Sequence, residues 1–369
     1  MQRILRGAIV GFGFIAEKGH LLGYRAAAGY RFEIVAVADG CAARRALAQQ
    51  LIPGVRVYSD ADTLVAAELG QIDFLDIATP PSEHAAIAQL GLSSGLHVLC
   101  EKPLTTSVSD AEALMTSARA NRRVLFPSHN YRHAPVVRQV RELLDAGAIG
   151  TVHQVNLQTF RTTHARGVAD WKPDWRREHR WAGGGIAMDH GSHTFYLAFE
   201  WLGSYPTALS ATMATGEGFD TEDTLSCQIR FPTGTAIASL TWRAGLRRVN
   251  YALHGDRGAI LVSDDDIEVV RHRHGKTETE LLSVKSDWMD ASHSEWFASL
   301  FDRFGGAILR EEFVGKDATD SLECVRLIQA AYESAGRAGR EVPLERTSTQ
   351  LDRSSTAKKS KASPLRVAG

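Results

Sequence analysis

A glycine-rich turn between two β-branched apolar runs constrains this chain more than any other feature. ILRGAIV leads into Gly11-Phe12-Gly13-Phe14-Ile15-Ala16, a helical stretch follows, and FEIVAVAD closes the unit at Asp39. The GxGxxA spacing has a physical logic. Gly11 permits the tight turn, Gly13 lets a pyrophosphate reach the backbone, and Ala16 lets helix and strand pack closely. The helix N-terminus then offers free N–H groups and partial positive charge to phosphates. Asp39, ending the second strand, can accept hydrogen bonds from both ribose hydroxyls and would repel a 2′-phosphate. The pattern predicts a dinucleotide site around Gly11, Gly13, Phe14, Ile15, Ala16 and Asp39. NAD is the expected cofactor, with NADP the alternative, because Arg44 and Arg45 stand near enough in sequence to neutralise a phosphate.

Further apolar runs, VRVYS, DFLDIAT, HVLCEK and RVLFPSH, alternate with helical patterns through the first third. Such alternation predicts an α/β unit, a doubly wound parallel sheet with helices on both faces. Beyond the helical stretch Pro135–Ala146 the texture changes: TVHQVNLQTF, LSCQIRF, TAIASLTWR and RVNYALHG alternate apolar and polar residues, as antiparallel strands do. Helical patterns return at 186–203, 294–305 and 317–336. The expected organisation is a dinucleotide-binding domain over 1–130 and a second α/β domain over 131–343, its last helices free to pack back on the first. A basic tail over 344–369 is expected to be disordered. Arg346–Gly369 carries six Lys/Arg against Asp352 alone, so the tail holds +5 of a total of −1.

A net charge of −1 argues against a general nucleic-acid binder, and no apolar run has the roughly 18 residues of a membrane span. A cytoplasmic protein is expected. The four scattered cysteines form no CxxC pair, so they read as reduced thiols.

In a parallel sheet the carboxyl ends of the strands open on the ligand crevice. Two of them carry Ala78-Thr79-Pro80-Pro81 with His84, and Glu101-Lys102-Pro103. The proline pair stiffens a loop beside the expected nicotinamide, or simply starts a helix. Lys102 brings an ammonium that can polarise a substrate oxygen and stabilise developing alkoxide charge. In the second half, Asp189 and His193 stand four apart in MDHGSHTF, so on a regular helix the carboxylate could orient the imidazole for proton transfer. His190, one residue after Asp189, would point elsewhere. The preceding Gly183-Gly184-Gly185 lets backbone approach something closely.

Taken in order, GFGFIA, ATPPSEH, EKPL, NYRHAP and GGGIAMDHGSH resemble the glucose–fructose oxidoreductase, inositol dehydrogenase and rhizopine-catabolism (Gfo/Idh/MocA) family over residues 4 to 343. The resemblance implies an N-terminal Rossmann domain and a C-terminal α/β domain with an open, mostly antiparallel sheet. That sheet would bind a sugar, inositol or sugar-acid substrate and form a homodimer or homotetramer contact. Lys102, Asp189 and His193 match the family's catalytic positions, Asn130 falls in the cofactor set, and Arg132, Trp175 and Arg176 lie in segments that line its pocket. No metal is expected, since lysine and histidine can together do a Lewis acid's work. The family often carries an aspartate three residues after the histidine, where this chain has Tyr196. A redox-neutral hydrolase or lyase using tightly held NAD, and a non-catalytic dinucleotide or sugar sensor, are the alternatives.

Overall fold

A computed structural model of the chain describes residues 3–273, 275–285 and 292–344. The basic tail lies outside them apart from Leu344, whose N–H bonds the Thr207 carbonyl at 2.8 Å.

Six strands, β1 (Ile4–Val10), β2 (Arg31–Ala38), β3 (Arg56–Tyr58), β4 (Phe74–Ile77), β5 (His97–Cys100) and β6 (Leu125–Pro127), form the first sheet. Their order is β3-β2-β1-β4-β5-β6 and every pairing is parallel. Helices cover both faces, which is why β4 is buried at every position and reads as a continuous apolar run interrupted by Asp76. This is the doubly wound Rossmann arrangement, whose strand order reverses between β1 and β4. The crevice opens at their carboxyl ends.

The second sheet holds β7 (Val152–Phe160), β8 (Ala208–Ala214), β9 (Thr224–Phe231), β10 (Gly234–Thr241), β11 (Arg248–Gly255), β12 (Gly258–Ser263), β13 (Asp266–Arg273), β14 (Lys276–Ser283) and β15 (Val342–Pro343). They lie in the order β14-β13-β12-β11-β7-β10-β9-β8-β15, antiparallel except where β7 meets β10. Alternation set this in the sequence: Leu225, Cys227, Ile229 and Phe231 of β9 are buried while Ser226, Gln228 and Arg230 are exposed. Edge strand β14 is mostly exposed, so KTETELLS carried no core signature to read.

One face of this sheet is covered by the helix Ser192–Leu202, nearly every residue of which is buried, and by the long helix Lys316–Gly336. The helix Ser294–Leu309 instead turns back to the first sheet. Its Phe297, Phe301 and Phe304 join a core with Phe12, Tyr24 and Phe74, and Tyr24 stacks on Phe301 with ring centroids 3.8 Å apart. Emptying the Phe301 site with alanine would cost about 3–5 kcal/mol. This aromatic seam fixes the two sheets relative to each other, and with them the cleft between.

Candidate active site

The glycine turn is held by the acid that ends β2. Gly11 leaves β1 at φ +88°, where a side chain is strained, and a Cβ there would stand 2.8 Å from the Ala78–Thr79 backbone. Asp39 Oδ2 accepts the Phe12 N–H at 2.7 Å, and Oδ1 accepts the Cys41 N–H at 2.7 Å. A Cβ on Gly13 would meet nothing within 4 Å, so the turn presents open backbone to the crevice. These features fit a dinucleotide: bare backbone at the helix start and a carboxylate at the end of β2, beside a cleft of about 1040 Å³. Arg44 donates to the Phe12 carbonyl (2.7 Å) and Glu17 (2.7 Å), while Arg45 donates to the Asp39 carbonyl (2.7 Å). Both guanidiniums are already engaged.

Of the residues expected from sequence, Gly11, Gly13, Phe14, Ile15, Asp39, Ala78, Thr79, Pro80, Pro81, Glu101, Lys102, Asn130, Trp175, Arg176, Asp189 and His193 line this one cleft. Three do not. Ala16 is buried beneath the turn, where its small side chain serves packing. His84 is fully buried and ties the two loops together, its ring nitrogens 2.9 Å from the Thr79 carbonyl and 2.8 Å from that of Pro103. Arg132 is also turned inward. It pairs with Asp317, Asp320 and Glu200 and is 3% exposed, so it fastens the helix Lys316–Gly336 instead of reaching a ligand.

At the cleft's inner end the two halves of the chain meet. Lys102 Nζ donates to both the main-chain carbonyl and Oδ1 of Asp189, each at 2.9 Å. Asp189 therefore serves the lysine, not His193 as its spacing suggested. The cause is local. Residues Ala187–Gly191 form a π-helical turn, wider than an α-turn, so side chains four apart no longer superpose. The same widening brings His190 to the site, its Nδ1 3.3 Å from Asp189 Oδ2, where a regular helix would have turned it away. Arg176 Nε approaches the same carboxylate oxygen at 3.5 Å. Burial opposes ionisation of Asp189, but Lys102, Arg176 and His190 outweigh it and hold the carboxyl well below the usual range.

His193 finds a different partner. Its Nδ1 lies 3.1 Å from Tyr196 Oη, which also accepts the Tyr131 N–H at 3.1 Å, and the Tyr131 ring stacks on the imidazole at 3.9 Å. The tyrosine that departs from the family pattern thus takes up the histidine. Burial, then the charges of Lys102 and His190, pushes the His193 pKa well below its ordinary value, leaving a neutral imidazole in the cleft at pH 7.

Beneath Lys102 lies a cation that sequence reading missed. His20 has no exposure, and its ring nitrogens face Asp76 Oδ2 at 2.8 Å and Glu101 Oε1 at 3.1 Å. Burial alone would depress its pKa, but the two carboxylates raise it to about 10. Glu101 is thereby held at the cleft wall, its other oxygen accepting the Lys102 main-chain N–H at 3.2 Å. The triple glycine also works structurally. Gly185 and Ala187 donate their N–H groups to Glu222 at 2.9 and 2.8 Å, and a Cβ on Gly185 would fall on the Glu222 backbone. That carboxylate caps the turn carrying Asp189 and His190.

A Rossmann crevice with an ionised lysine–aspartate pair and a neutral histidine defines a nicotinamide-dependent oxidoreductase site. Residues 5–129 match the oxidoreductase family with an NAD-binding Rossmann fold, and residues 137–261 match the GFO/IDH/MocA C-terminal domain. The chain belongs to the GFO/IDH/MocA oxidoreductase family, and its cofactor is NAD. It is similar to a D-apiose dehydrogenase of Paraburkholderia graminis, 28% identical over 351 residues, covering 92% of this chain and 90% of that one. A D-xylose 1-dehydrogenase (NADP(+)) of Hypocrea jecorina is 27% identical over 279 residues, covering 70% and 71%. Among solved structures, a levoglucosan dehydrogenase in complex with NADH shares the fold with a TM-score of 0.82 at 22% identity, covering 94% of this chain and all of that one. Among the described residues no helix is long and apolar enough to cross a membrane.

Proposed function

We propose that this enzyme oxidises a secondary hydroxyl of a sugar, inositol or sugar-acid substrate, or reduces the corresponding carbonyl. Residues 1–130 would hold the cofactor and 131–343 the substrate. Sugar dehydrogenases among the relatives support the substrate class. The carrying observation is the Lys102–Asp189 pair, which joins a strand end of one sheet to the catalytic-type turn of the other beside His193.

Bound NAD supplies the two-electron hydride acceptor or donor. The protein's own groups handle the oxygen. Lys102, positioned by its pairing with Asp189, donates a hydrogen bond to the reacting oxygen and favours its alkoxide character. In the oxidising direction His193 acts in the tautomer whose Nδ1–H donates to Tyr196 Oη, 3.1 Å away, so that the Nε2 lone pair takes the hydroxyl proton. Hydride leaves the carbinol carbon as that proton leaves its oxygen, so the alcohol becomes a carbonyl and one proton is released. Trp175 and Arg176 stand over the cleft, the guanidinium carbon 4.2 Å from the indole centroid, as a wall for the substrate. Copies would pair through the open face of the second sheet, where Gln154, Gln228 and Ile237 are exposed.

The test is NAD⁺ reduction over a panel of inositols, aldoses, aldonic acids and uronic acids, with wild type, Lys102→Ala and His193→Ala. Both variants should lose turnover and keep NADH affinity. Full activity in either would overturn the assignment.

A further inference from the structure

Arg161 is a buried cation that no carboxylate answers. It follows β7, whose alternation buries Val155, Leu157 and Thr159 in turn, so Arg161 continues the covered phase of the strand. The residue is 8% exposed and lines the cleft. Its side-chain hydrogen bonds use Nη1 alone, to the carbonyls of Phe160 (2.8 Å) and Arg248 (3.4 Å), and among the described residues it forms no ion pair. Burying a guanidinium without a counter-charge is costly. Arg132, also buried, shows the ordinary remedy with three carboxylates around it.

The neighbourhood does not supply the missing charge. Lys102, Arg176 and His190 already share Asp189 at 2.9, 3.5 and 3.3 Å. Glu101 is held by His20, and Asp264, which accepts the Val249 N–H beside the Arg248 carbonyl, is paired with Arg248 at 3.1 Å. The remaining lining acids, Asp39, Asp60, Asp62 and Glu83, stand on the loops or first helical turns that follow β2, β3 and β4. Around the proton-transfer site, then, Lys102, Arg161 and Arg176 face one carboxylate. A neutral sugar would leave that excess standing, whereas an anion would complete it.

We infer that the substrate is a sugar acid whose carboxylate pairs with the free edge of the Arg161 guanidinium while Lys102 and His193 act on its hydroxyl. This rests on the dehydrogenase reading above and narrows its substrate class. A planar guanidinium matches a carboxylate through two parallel hydrogen bonds, which fixes orientation as well as affinity.

The test compares NAD⁺ reduction with uronic and aldonic acids, their neutral parent aldoses, and aldose phosphates, using wild type, Arg161→Met and Arg161→Lys. Wild type should favour an acid over its neutral parent by on the order of 100-fold in kcat/KM. Arg161→Met should lose most of that preference, chiefly through KM, with NADH fluorescence titrations unchanged, and Arg161→Lys should recover part of it. Equal or better turnover of neutral sugars or sugar phosphates by wild type overturns the inference and leaves the dehydrogenase reading standing. So does a preference for acids that survives in Arg161→Met. Failure of wild type to reduce NAD⁺ with any of the three groups overturns both.

Discussion

His20 and His193 are both buried beside the cleft, and their surroundings give them different charge states, one cationic and one neutral. His20 sits between Asp76 and Glu101 and stays protonated to about pH 10. His193 sits among Lys102, His190 and the rings of Tyr131 and Tyr196, and stays neutral far below its ordinary range. Burial pushes both the same way, so the neighbouring charges decide. A histidine locked in one state by two carboxylates is a structural cation. One that is neutral, faced by a lysine and open to a pocket can take a proton and return it.

The sharpest way to break this contrast is to remove each imidazole. His193→Ala should lower kcat by roughly 10³-fold, within the range for general acid–base groups, with NADH affinity and melting temperature little changed. His20→Phe should do the reverse of that pattern. It leaves two buried carboxylates without their cation, a loss on the order of 3–5 kcal/mol of stability measured by denaturant unfolding.

Stability against pH separates the two further. Because the folded pKa of His20 is raised, its contribution is full below about 6.5, the unfolded value, and is lost as pH rises through about 10. The wild-type melting temperature should therefore fall across that window, and the fall should be smaller in His20→Phe. The activity profile carries the opposite signature. With the His193 pKa depressed, the acid limb of kcat/KM for oxidation should lie well below pH 6.5; a limb at 6.5 would mean an unperturbed base. The smallest effect is expected for Tyr196→Phe. Loss of one hydrogen bond to Nδ1 should cost up to about 10-fold in kcat and displace that limb.

The cofactor end was legible in the sequence because its signals are local. Gly11, Gly13 and Asp39 sit at fixed places on a strand, a turn and the next strand, and parallel-sheet geometry sends Thr79 and Lys102 to the same edge. What could not be read depends on distant partners or on irregular backbone. The charge of His20 comes from Asp76, 56 residues away. Arg132 reads as a pocket residue in sequence, but Asp317 and Asp320, more than 180 positions on, turn it inward. The Asp189–His193 spacing misled because it assumed α-helical winding where the chain makes a π-turn. Arg161 did leave a trace: it is the one charged residue in step with Val155, Leu157 and Thr159. The triple glycine pointed correctly to a close approach, but the approaching group is Glu222.

The central claim is that Lys102 and His193 act on one substrate oxygen. A double-variant cycle tests it most directly, using kcat/KM for NAD⁺ reduction in wild type, Lys102→Ala, His193→Ala and the pair, with NADH binding as the control for folding. Groups serving one transition state are strongly non-additive, so the double variant should be scarcely slower than the worse single variant. Losses that multiply through the cycle would show two independent roles and contradict the account.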